Sequence, residues 1–210
     1  MRIALGLLVL MSACEPAPVR VSGWQMENFF PFDGARTWEF TSDDAESRHL
    51  LIATLDPEAT NLEDGSSLHE ISYDLQCADV NDDGCEESWV RSVTWSTSRT
   101  DGIKLTELHG PDVDLVFDEP IIIAEDEMVV GESVTSGGFV STFEGLEPCP
   151  VLWTDEWDTC AHLIVTGTGP GAESIVGEYW AVLNFNVVSL KLDSDVAQWR
   201  LSDATFEAVR

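Results

Sequence analysis

Positive charge is what this chain has least of. Only Lys104 and Lys191 are lysines, and 10 basic residues stand against 39 acidic ones, for a formal charge of -29. A chain so acidic repels phosphate backbones and anionic lipid surfaces, which excludes nucleic acid as a partner. Beyond Met11 there is no long uncharged apolar run, so no later segment supplies the roughly 20 residues that a membrane-spanning helix needs. A Cys-x-x-Cys pair is missing, and with it the usual dithiol of a redox site. So is His-Glu-x-x-His, and Gly131-Glu132-Ser133-Val134-Thr135 lacks the second glycine of a hydrolase nucleophile elbow. Gly167-Thr168-Gly169-Pro170-Gly171 lacks the Lys-Ser/Thr that a phosphate-binding loop carries. No Ser/Gly-rich linker and no fixed-period repeat interrupts the chain after Trp24, so one domain over 24–210 is expected.

What is present argues for a packed β protein. Hydrophobic residues make up 44% of the chain, with 8 Trp and 9 Phe, enough apolar area to offset chain entropy despite the charge. The periodicity is that of strands. In ESWVRSVTWSTS, Trp89, Arg91, Val93, Trp95 and Thr97 share one face, and the other carries smaller residues. Similar runs are RTWEFT, HLLIATL, LHEISYDL, GIKLTEL, DLVF, EMVVGESV, GFVSTF, AHLIVTG, YWAVLNFNVVSLKL, AQWRL and TFEAV. Turn chemistry separates them, as at Glu63-Asp64-Gly65, Ser136-Gly137-Gly138 and Gly169-Pro170-Gly171. Helical pattern is scarce; DDAESRHLL, 43–51, reads equally as a loop running into a strand. The expectation is an all-β domain with a strongly curved antiparallel sheet, a half-barrel or barrel.

The first residues, MRIALGLLVLMSAC, place one positive charge before an apolar run, Ile3 to Met11, and then small residues, the layout of a signal peptide over 1–13. Leu10-Met11-Ser12-Ala13-Cys14 resembles the lipobox of bacterial lipoproteins. The resemblance implies that Cys14 is lipidated and becomes the first residue of the mature chain. Residues 14–23, with Pro16 and Pro18, would then be a lipid-bearing tether to the membrane. Glu15 follows Cys14, and the absence of Asp there implies outer-membrane sorting. Setting Cys14 aside leaves an even set, Cys77, Cys85, Cys149 and Cys160, in a chain exported to an oxidising compartment. Four cysteines pair in three ways, and the spacing favours two local bridges, Cys77 with Cys85 and Cys149 with Cys160, each stapling a hairpin loop.

The mature part carries a second resemblance. In FFPFDGARTWEF, residues 29–40, Phe30, Pro31, Gly34, Trp38 and Phe40 fit a group of secreted bacterial β proteins that open with an aromatic-Phe-Pro-Leu, a Gly and then Trp-x-Tyr or Trp-x-Phe. Pro120 with Gly131-Glu132-Ser133 resembles the group's middle strands, and GEYWAVLNFNVVSLKLDSDVAQWRL, 177–201, its closing pair. The resemblance implies a lipoprotein or periplasmic protein on a curved antiparallel sheet, like the half-barrels of lipoprotein carriers. It implies no activity.

Candidate sites are few. In CADVNDDGC, 77–85, Asp79, Asn81, Asp83 and Gly84 have the spacing with which a calcium loop opens, where alternate oxygens converge on the ion. Val90 stands where an EF-hand would close with Glu, so the segment is closer to the disulfide-flanked acidic loops of extracellular calcium repeats, or is simply a polar hairpin turn. Trp153, Asp155 and Trp157 could form a sugar-stacking lip or pack on their own disulfide. The four histidines, His49, His69, His109 and His162, are scattered and read as surface or packing residues. The expected role is therefore non-enzymatic: a monomeric, membrane-anchored envelope lipoprotein that binds a partner or supports the envelope, with calcium as a structural ion if any. The alternative is a periplasmic carrier of an apolar ligand on the concave face, which would need a cavity of roughly 300 Å3 or more. An envelope hydrolase would need a histidine and a carboxylate converging in a pocket.

Overall fold

The computed structural model describes Met26 and residues 36–42, 49–56, 58–76, 92–98, 102–111, 113–150, 159–182, 186–193 and 198–206. Thirteen strands are found among them: β1 (Arg36–Ser42), β2 (Leu50–Leu55), β3 (Thr60–Asn61), β4 (Ser67–Gln76), β5 (Ser92–Ser98), β6 (Gly102–His109), β7 (Asp114–Ala124), β8 (Ser133–Ser136), β9 (Phe139–Glu147), β10 (Cys160–Gly167), β11 (Gly177–Val182), β12 (Asn186–Leu192) and β13 (Trp199–Phe206). One 3-10 turn, Ala172–Ser174, lies between β10 and β11.

All belong to one antiparallel sheet in the order β7-β6-β5-β4-β2-β1-β13-β12-β11-β10-β9-β8, with β3 paired on β4. The sheet is nearly closed into a barrel. Chain order and spatial order agree except at one place. There the first strand pairs with the last, from Arg36 opposite Phe206 to Ser42 opposite Trp199.

Alternation explains the strands. Leu51, Ala53 and Leu55 of β2 point inward, as do Ala161, Leu163 and Val165 of β10, all at most 3% exposed; between them Ile52 and Ile164 lie at intermediate depth, Thr54 is exposed, and His162 is buried beside a ladder shift. Extra residues bend the sheet where it curves. Ladder shifts fall at Glu39/Phe40, Thr94/Trp95, Trp180/Ala181 and His162/Leu163, and a larger one lies in β7 opposite Leu105 to Glu107. Such bulges tighten the local twist and let a long sheet roll up. The β7 irregularity spans 117–120 and includes Pro120, which has no N–H to give a ladder.

The two ends of the sheet meet without a ladder. Ile122 N–H of β7 donates to Ser136 Oγ at 2.6 Å, and Ser141 Oγ–H donates to Ile123 C=O at 2.5 Å. Edge groups of β7 are thus satisfied by two buried hydroxyls on the inner face of the β8-β9 hairpin. Gly137 and Gly138, at φ 55° and 86°, make that hairpin's two-residue turn. At the other end of β6 the ladder runs so close that a Cβ on Gly102 would lie 2.1 Å from Ala124 O. Residues 168–176 fold back on the barrel: Ile175 is buried, and its C=O accepts from Tyr179 Oη–H at 2.5 Å. Met26 is also buried in the core and donates its N–H to Asp126 C=O at 2.9 Å.

Three details of the expected strand layout are corrected. EMVVGESV is a strand only from Ser133; Glu132 N–H donates to Val129 C=O, making 129–132 a turn. YWAVLNFNVVSLKL splits into β11 and β12, and AQWRL with TFEAV merge into the single β13. Of the two expected staples, Cys149–Cys160 is formed, tying the end of β9 to the start of β10; Cys77 and Cys85 lie outside the described residues.

Candidate functional site

Strand register assembles chemistry that scattered sequence positions conceal. His162 of β10 lies directly opposite Trp180 of β11, and the rings stack with centroids 4.6 Å apart and planes 6° from parallel. Two carboxylates flank the imidazole: Glu147 Oε2 at 3.2 Å from Nδ1 and Glu178 Oε2 at 3.3 Å from Nε2. The histidine side chain is 9% exposed while both glutamates reach solvent. These are ion-pair distances without hydrogen-bond alignment, since both ring nitrogens are buried and neither makes an aligned bond. The group sits on the outer wall, at the base of the loop closed by Cys149–Cys160.

A second histidine is also bracketed. On the β6-β7 hairpin His109 Nδ1 lies 2.6 Å from Asp114 Oδ1 and Nε2 lies 3.3 Å from Glu107 Oε2. The hydrogen bonds to Asp114 and then Glu107 hold the His109 pKa above the ordinary imidazole value. Glu107 also accepts from Thr94 Oγ1–H at 3.2 Å. The carboxylate therefore lies between hydroxyl and imidazole, whereas nucleophilic catalysis places the imidazole between hydroxyl and carboxylate. His69 is buried, and His49 shares backbone and side-chain bonds with Ser42. Reading the histidines as surface or packing residues missed both carboxylate brackets, because each partner comes from a register or a hairpin that one-dimensional spacing does not display.

Inside the barrel a cavity of about 50 Å3 lies between opposing walls. Trp38, Phe40, Tyr73 and Trp95 line one side, and Tyr179, Asn186 and Leu190 the other. Burial pushes the Tyr73 hydroxyl pKa well up, so it stays neutral. Trp38 and Asn186 are 2% and 5% exposed, and the Nε1 of one and the Nδ2 of the other have no hydrogen-bond partner. Asn186 is also, among the described residues, the one non-glycine at positive φ, 114°. Its Oδ1 accepts from Val187 N–H at 2.7 Å, which leaves the amide nitrogen as the free end. Neither His109 nor His162 lines this cavity.

Asp79, Asn81 and Asp83 lie outside the described residues, as do Cys14, Trp153, Asp155 and Trp157. Among the described residues no group of three or more His, Cys, Asp or Glu is placed to hold a metal ion. No helix among them is long and apolar enough to cross a membrane. The fold and these sites define a class, an almost closed antiparallel β-barrel with a hydrophobic core between its walls and acidic histidine clusters on the outside. Comparison with known protein families, with curated proteins and with solved structures returns no match.

Proposed function

We propose that the protein is an exported lipoprotein, held on the outer membrane through a lipid on Cys14, with a non-enzymatic binding or structural role. The observation that carries the non-carrier part is the packed core among the described residues. Side chains from opposing walls form one core cluster, and the cavity lined by Trp38, Tyr73, Tyr179 and Asn186 measures about 50 Å3, a fraction of what an apolar cargo occupies. The histidine-carboxylate groups lie outside that cavity, and the Thr94 hydroxyl beside the His109 group bonds the Glu107 carboxylate and not the imidazole, which weighs against a hydrolase. Binding, on this reading, uses the outer wall. Calcium at Asp79, Asn81 and Asp83 would be a local staple that offsets acidic charge.

Mass spectrometry of the mature N-terminus tests the anchor. The expected result is a diacyl or triacyl Cys14, with the Cys14→Ser protein released into the soluble fraction; an unmodified terminus elsewhere would overturn the anchor. A fluorescent fatty-acid titration tests the interior. No saturable binding is expected, and micromolar saturable binding would replace this reading with the carrier. A calcium titration followed by thermal melting tests the loop, where a rise in Tm at millimolar calcium is expected and no shift would remove the ion.

A further inference from the structure

The cavity lies beside a break in the sheet. The β12-β13 ladder holds over only two residue pairs, Ser189 with Arg200 and Leu190 with Trp199. The same register continued would bring Val188, Val187 and Asn186 opposite Leu201, Ser202 and Asp203, but pairing stops before them. β12 continues to pair with β11 there, through Val187 with Ala181 and Asn186 with Val182, and β13 with β1, through Asp203 with Glu39. The sheet therefore splits between β12 and β13. Asn186 and Val187, which line the cavity, belong to the segment of β12 that has left the ladder.

Three observations converge on that split. Two side chains at least nine-tenths buried, Trp38 and Asn186, line the cavity, and each carries a nitrogen donor with no partner. Asn186 is held at a φ that L residues rarely adopt. The cavity, at about 50 Å3, exceeds the roughly 10–15 Å3 that one water needs and is far too small for an organic cargo. Both orphan groups are donors, so the guest must accept hydrogen bonds. Neutral walls of Trp, Tyr, Phe and Leu, with no cation lining the cavity, make an anion a poor guest.

We propose that this cavity is a built hydration site. One or two ordered waters accept from Trp38 Nε1–H and Asn186 Nδ2–H and donate to backbone carbonyls freed where β12 leaves β13. The water takes the place of ladder hydrogen bonds and joins β1 to β12 across the split. This does not depend on the lipoprotein reading, since it concerns only the interior of the folded domain.

A high-resolution crystal structure of the protein, solved with and without xenon pressurisation, tests it. The expected result is water density within hydrogen-bond distance of both nitrogens and no xenon in the cavity. Trp38→Phe keeps most of the ring and removes its donor, and Asn186→Gly keeps the backbone angle and removes the amide. Each is expected to lose the water bonded to the missing group. Magnetic relaxation dispersion of water in solution should show at least one long-lived internal molecule fewer in the double variant. Xenon in the wild-type cavity, or waters and dispersion amplitude unchanged in the variants, would overturn the proposal.

Discussion

At the scale of single residues, His109 offers a signed test. Its folded pKa is raised above 6.5, first by Asp114 and then by Glu107. The protonated form is therefore favoured in the folded state, and its contribution to stability is complete below the unfolded value near 6.5. That contribution is lost as pH rises through the higher folded value. The imidazole is about one-third exposed, so solvent screening keeps the effect within the ~0.2–1 kcal/mol of surface pairs. An NMR titration should place the His109 midpoint above that of a free imidazole, and Asp114→Asn should bring it down. An unchanged midpoint in the variant would show that Asp114 is not the cause. None of this was legible in the sequence. Asp114 and His109 are five positions apart, yet only the hairpin's return brings them together, and the partners of His162 come from β9 and β11. Asn186 carried no signal beyond being a polar residue in an apolar run. Its type is nonetheless one of the few non-glycines that tolerate positive φ.

At the scale of elements, the seam between β7 and the β8-β9 hairpin is where removing a few atoms should cost most. Ser141→Ala leaves Ile123 C=O without its donor, and Ser136→Ala leaves Ile122 N–H without its acceptor, both near the core. Leaving a buried backbone group unsatisfied costs roughly 1–3 kcal/mol. Urea unfolding should show each loss, and Ser141→Thr, which keeps a hydroxyl, should lose less than Ser141→Ala. The Cys149–Cys160 bridge joins residues 11 apart, and Cys149→Ser with Cys160→Ser should lower stability by roughly 2–3 kcal/mol in the same measurement. The strands themselves could be read from alternation because one face of most of them is buried, as in HLLIATL and AHLIVTG. Reading failed where that signal changes meaning. YWAVLNFNVVSLKL carries no Gly or Pro, and its two asparagines alternate with apolar residues as strand positions do, so its pattern reads as one strand across the reversal between Val182 and Asn186. Thr60–Asn61 is too short and too exposed to alternate at all.

At the scale of the molecule, the charge of -29 is the dominant long-range term. Self-repulsion opposes the compact state and falls as salt shortens its reach. The melting temperature should rise steadily between 20 mM and 1 M sodium chloride; a flat or falling curve would show that local pairing, and not net charge, controls stability. Composition and turn spacing were enough to read an antiparallel, strongly curved sheet. The choice between half-barrel and barrel was not readable, because it depends on bulges at positions such as Thr94/Trp95 and on two serines that look like any others in a strand.

The pairing of β1 with β13 also governs how the domain comes into being. Its inner ladder joins residues as far apart as Arg36 and Phe206, so the loop that must close spans nearly the whole domain. Until the last strand has emerged, Trp38 and Phe40 have no neighbour on that side. A chain delivered from its N-terminus therefore waits with an apolar strand edge unpaired, the arrangement that folds slowly and aggregates most readily. Truncation before Trp199 should leave an insoluble product, and refolding of the intact domain should be slow for its size.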